Sequence, residues 1–162
     1  LDLSWRGVTG VLGLSAGGYF LGCGEEPHEN GAKRGDLLFD GKIDGKRLVY
    51  YEGWGDATDD NQESDILEIY SGEKKEELFR DHDENGVIGN DTKDRYIIYL
   101  GDGKKRVYAK TFVIDENGRK FSGDDSIVVK ALEVAKEKLE EATTKYQDYK
   151  TKIQERLEIR LS

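Results

Sequence analysis

The chain has 162 residues, about one domain's worth, with hydrophobic and charged residues at 36% each and a net charge of −9. The acidic balance argues against a general nucleic-acid binder, which needs a basic surface. One Cys excludes an internal disulfide framework and a Cys-ligated zinc site, and two His leave little for a His-based cluster.

Residues 8–22 carry no charge, follow Arg6 and end at Cys23. Fifteen residues rich in Gly are short for a membrane-spanning helix, which needs roughly 20. They match the apolar centre of a secretory signal peptide. The alternative is a buried strand or helix with Cys23 as a core thiol.

The tetrapeptide Phe20-Leu21-Gly22-Cys23 resembles the lipobox of prokaryotic lipoproteins. That resemblance implies lipid on Cys23, a membrane partner held through that lipid, and an extracytoplasmic, membrane-anchored location at the cell surface or in the periplasm. Residues 1–22 are then the signal-like segment. Residues 23–35, polar and turn-forming, are a tether.

Residues 36–126 read as a β-rich domain. Apolar, β-branched and aromatic residues flank Asp44-Gly45, a dipeptide suited to a type I′ hairpin turn. Alternation places Leu48 and Tyr50 on one face, Val49 and Tyr51 on the other. Asp40-Gly41 is a competing turn or bulge. Gly101-Asp102-Gly103 and Asn117-Gly118 mark two further turns. A weak repeat relates Asp65-Ile-Leu-Glu-Ile-Tyr70 to Asp94-Arg-Tyr-Ile-Ile-Tyr99 at an offset of 29 residues, each followed by Gly and a Lys pair. The fold class expected is α+β: an antiparallel meander of about six or seven strands, then one long C-terminal helix.

Charge is uneven. Residues 53–94 hold fourteen acids and four bases, and within them lies Asp81-His-Asp-Glu-Asn-Gly-Val-Ile-Gly-Asn-Asp-Thr92. This segment resembles the calcium loop of EF-hands. Hard Ca²⁺ takes six to eight oxygens, and Gly at loop position 6 permits the sharp turn. The resemblance implies Asp81, Asp83 and Asn85 as side-chain ligands and the Val87 carbonyl at position 7. Position 12, normally a bidentate Glu, is Thr92, where Asp91 or Asp94 could substitute if the loop bends differently. Affinity is then expected to be weak, on the order of 10⁻⁴–10⁻³ M. A plain Asp/Asn/Gly turn is the competing reading. His82, between two acids, is expected to be exposed.

Residues 127–161 contain no Gly or Pro and predict a helix of about 52 Å, capped by Asp125 or Ser126. Val128, Leu132, Ala135, Leu139, Ala142, Tyr146, Tyr149 and Ile153 follow alternating 4,3 spacing, a heptad stripe that passes to 4,4 at Leu157 and Leu161. The stripe could pack on the sheet of its own domain. Strands of ordinary length span only about 17–20 Å, so the distal half, residues 143–162, is expected to meet a second copy, a partner protein or the N-terminal apolar segment.

No nucleophile elbow, phosphate loop or zinc-protease motif occurs. The expected function is an exported, lipid-anchored, non-enzymatic binding or structural module. A calcium-dependent interaction protein and a small hydrolase using acidic residues are the alternatives.

Overall fold

The computed structural model describes residues 36–56 and 59–161. Residues 1–35, and with them Cys23, the tether and the signal-like segment, lie outside the described residues.

Eight antiparallel strands form one meander in which each strand pairs with its sequence neighbours: β1 (Asp36–Ile43), β2 (Lys46–Asp56), β3 (Asp59–Ser71), β4 (Lys74–Asp81), β5 (Arg95–Gly101), β6 (Lys104–Tyr108), β7 (Phe112–Ile114) and β8 (Lys120–Ser122). One helix, α1 (Ser126–Leu161), follows. The α+β class and its order are as expected. The strand count is slightly higher, because β7 and β8 are only three residues each.

Turn chemistry sets the hairpins. Asp44 (φ 54°) and Gly45 (φ 82°) both take positive φ, as a type I′ turn requires. Asp102 (φ 55°) and Gly103 (φ 75°) repeat this between β5 and β6. Asp40-Gly41, the competing turn, lies inside β1 instead. There the Phe39 ring covers Gly41, and a Cβ at that position would come within 3.0 Å of it.

The register puts one residue from every strand into a single row across the sheet. Phe39 faces Tyr50, Tyr50 faces Leu67, and Leu67 faces Phe79. Phe79 continues to Tyr96, Tyr108, Val113 and Phe121. All eight belong to, or pack on, the main apolar cluster, and so does the stripe of α1 from Leu132 onward, with Val128 buried outside it. Phe79 stacks on Tyr96 (centroids 5.1 Å) and on Tyr146 (5.9 Å).

Helix α1 crosses the strands rather than running along them. Its contacts extend to β7 and β8 and to β1, and its distal part is tied to the first hairpin. Lys152 Nζ donates to Asp44 Oδ2 at 2.7 Å, and Arg156 donates to the carbonyl of Lys42. Tyr146 is 0% exposed and Ile153 2% exposed. The expected distal overhang is therefore corrected. The relevant ruler is the sheet's width, about 34 Å for eight strands at ~4.8 Å spacing, not the strand length. Lys145 likewise reaches the sheet, donating to Glu77 Oε1 at 3.1 Å.

Ile153→Ala is expected to destabilise the fold by about 2–5 kcal/mol in urea titration, since it empties a buried site. A loss below about 0.5 kcal/mol would mean the distal helix does not pack on this sheet.

Candidate acidic site

The next rung on the helix-facing side is polar. Asp65 stands two residues before Leu67, Asp81 two after Phe79, and Asp94 two before Tyr96. Strand alternation puts all three on the same face as those residues, and Asp65 and Asp81 are direct register partners. The 29-residue repeat is real in this sense: its two leading aspartates, Asp65 and Asp94, flank Asp81 on the neighbouring strands.

Loop 82–94 folds back over this rung. Asp81 accepts the N–H of Asn85 (3.3 Å) on one oxygen and of Gly86 (2.7 Å) on the other. Asp94 accepts the N–H groups of His82 (2.7 Å), Gly89 (2.9 Å) and Asp91 (3.1 Å). Both carboxylates are fully buried. Burial without partners would be costly, and the main-chain donors offset that cost.

The loop is also fixed to α1. Ile88 N–H donates to Thr143 Oγ1 (2.9 Å), Gln147 donates to the carbonyl of Gly86 (2.9 Å), and the Ile88 side chain enters the main apolar cluster. Gly89 (φ 101°) lies so near Leu139 that a Cβ would come within 2.8 Å of it.

Asp81, Asp83 and Asp94 each offer an oxygen within 4.8 Å of the others, with Asp83 exposed and the other two buried. The expected ligand set is brought together only in part. Asp81 and Asp83 converge. Asn85 Oδ1 accepts from Val87 N–H (2.9 Å), and Asp91 Oδ1 from Lys93 N–H (2.8 Å), so both side chains shape turns. Val87 is exposed. Asp94, rather than Asp91, completes the carboxylate trio. The flanking elements are both strands, β4 and β5, and not the two helices of an EF-hand.

His82 is 4% exposed, against the expectation of an exposed ring. Its Nδ1 lies 2.9 Å from Ser64 Oγ, which also accepts from Arg80 Nε at 3.1 Å.

The carboxyls of the rung titrate high. Burial, offset in part by the Gly86 N–H and reinforced by Asp83, pushes Asp81 up to about 6. Burial also raises Asp94, against the opposing pull of its three N–H donors. Asp65 is pushed up to about 7, first by burial and then by the Glu84 carboxylate. Tyr50 donates to Asp65 Oδ2 at 3.1 Å, while Asp65 Oδ1 has no hydrogen-bond partner. The Tyr146 hydroxyl is likewise buried without one, in the field of Tyr50, Asp81 and Asp65. These two orphaned oxygens are what the sequence reading missed, and between Asp91 and Asp94 it left the choice open.

Compared with models of known families, with curated proteins and with solved structures, the chain matches none. Among the described residues no helix is long and apolar enough to cross a membrane.

The sign of the pH dependence follows from Asp65. An unfolded Asp titrates near 3.9, so between that value and about 7 the folded chain holds the proton more tightly. Its contribution to stability is present at low pH and is lost as pH rises through that window. In chelator, the urea midpoint is expected to fall between about pH 4 and pH 7, and Asp65→Asn to flatten much of that fall. A wild-type midpoint that rises over the same interval would refute the assignment.

Proposed function

We infer that the protein is an exported, non-enzymatic binding module whose 82–94 loop is stapled by a hard divalent cation, with calcium the intended ion. The observation that carries the cation is the convergence of Asp81, Asp83 and Asp94 within 4.8 Å. Oxygen-only donors suit Ca²⁺ or Mg²⁺ rather than a softer metal, and a partly exposed set with one free-standing carboxylate suits the larger, less exacting Ca²⁺. Two buried oxygens without partners, Asp65 Oδ1 on this rung and Tyr146 Oη from α1 in the field of Asp81 and Asp65, mark where a cation with its water shell would supply donors and charge. In this reading the ion does no chemistry. It neutralises a crowd of carboxylates, and the loop in turn fixes residues 139–147 of α1.

Calcium at about 10 mM is expected to stabilise the chain by about 1.4–2.7 kcal/mol for a dissociation constant of 10⁻³–10⁻⁴ M. Asp83→Asn should abolish that shift while leaving the calcium-free midpoint nearly unchanged, because Asp83 is exposed. Equal stabilisation of wild type and variant would remove the site.

Export and anchoring rest on the sequence: the uncharged run at 8–22 and the Leu-Gly-Cys that closes it. Intact-mass spectrometry of the membrane fraction is expected to find a chain beginning at a lipid-modified Cys23. An unmodified Cys23 still preceded by residues 1–22 would remove the anchor and leave the cation reading standing.

A further inference from the structure

The face of the sheet opposite α1 has a composition the net charge conceals. Strand alternation places Lys42, Arg47, Lys75 and Arg80 on it from β1, β2 and β4. Arg95, Lys105 and Lys120 follow from β5, β6 and β8. Against these seven cations stand two acids from the same rows, Asp40 and Glu68. Among the described side chains the face thus carries five net positive charges, in a chain of net −9. Both acids are already engaged within the face, Asp40 by Arg47 at 2.7 Å and Glu68 by Lys75 at 2.8 Å.

Aromatic rings lie among the cations. Arg47 and Lys75 stand over Tyr70 (5.2 and 5.8 Å to the centroid), and Lys75 also over Tyr99 (5.4 Å). Arg95 and Lys120 stand over Phe112 (4.7 and 4.6 Å). These contacts hold the charged tips in a broad layer extending from β2 to β8. A basic, Tyr-bearing layer is complementary to an anionic one.

We propose that this face rests on an anionic lipid bilayer. The proposal builds on the anchored reading above: a lipid on Cys23 leaves twelve residues before β1, a reach of at most about 40 Å, which holds the sheet edge close to the bilayer. Lys and Arg there gain from anionic headgroups, and amphipathic Tyr rings suit the interfacial region. Helix α1 behind the sheet is nearly neutral, with eight bases and seven acids in residues 126–161, and of the loop acids Asp91 and Asp94 act on Arg95.

The test uses the full chain with Cys23→Ser, so that no lipid contributes and the outcome is independent of the anchor. Co-sedimentation with phosphatidylglycerol-containing vesicles is expected, little with pure phosphatidylcholine, and loss in about 0.5 M NaCl. Lys42→Glu with Lys120→Glu, both exposed and at opposite ends of the face, should weaken binding about tenfold or more. Lys130→Glu with Lys136→Glu, the same charge change on exposed α1 positions, should have less effect, with circular dichroism confirming that each variant folds. Equal binding to both vesicles, or equal loss in the two double variants, overturns the proposal. So does a single-stranded oligonucleotide that binds the face more tightly than the vesicles do and displaces them.

Discussion

Two periods meet at the centre of this molecule. A heptad stripe places a side chain every 3.5 residues, or about 5.3 Å along a helix. An antiparallel sheet places one strand every ~4.8 Å across its width. A helix laid across the strands can therefore offer nearly one stripe residue per strand. Here the stripe runs from Val128 to Ile153, and its seven residues from Leu132 onward share one apolar cluster with a row of eight strand residues, Phe39 to Phe121. The stripe spans about 37 Å and the row about 34 Å. Because the lengths agree, the helix buries its apolar side without a second helix, and a single-layer sheet acquires a core along its whole width. The 4,4 step to Leu157 keeps that residue packed on the cluster as well.

The aspartate rung sits beside this row and depends on it. Three carboxylates next to a fully buried Tyr146 and Phe79 are expensive unless something supplies donors or positive charge. The 82–94 loop supplies five N–H groups to Asp81 and Asp94. The same loop inserts Ile88 into the core and bonds to Thr143 and Gln147. Loop, rung and helix are thus one mechanical unit. Whatever changes the charge on the rung acts on the docking of the middle of α1. The high titration of Asp65 and Asp81 expresses the same strain from the other side: the rung is more comfortable with a proton, or another positive charge, than without.

Much of this was legible in the residues. Asp44-Gly45 and Asp102-Gly103 announced hairpins because few residues accept two successive positive φ values. The absence of Gly and Pro after Ser126, together with 4,3 spacing, announced the helix. What failed was geometry at a distance. No local pattern states that a helix will run across strands, so strand length was the wrong measure of what could cover residues 143–161. The three-residue strands β7 and β8 are too short to alternate convincingly. Asp94 entered only as an alternative to Asp91, because a calcium-loop template ends at position 12. The 29-residue repeat that equates Asp94 with Asp65 was the better guide, since equivalent residues of tandem hairpins return to one face. His82 looked exposed beside two acids. It is buried because strand alternation carries it, just past β4, to the side occupied by Ser64 and Arg80.

The same alternation explains how one chain carries two opposite electrostatic characters. In a strand, successive residues point to opposite faces, so a sequence such as Lys-Glu-Glu-Leu-Phe-Arg-Asp looks charge-mixed when read in line but sorts when folded. From that stretch, Arg80 goes to the open face, while Glu77 and Asp81 go to the side of the helix. Repeated across the described strands, this sorting gathers bases on the open face, while the helix side carries acids and bases in nearly equal number. Net charge cannot report such a moment, although a charged surface at close range responds mainly to the near face, because salt screens the far one within about a nanometre. A pI near 4.9 therefore constrains the behaviour of the free protein in solution far more than it constrains what its open face can approach.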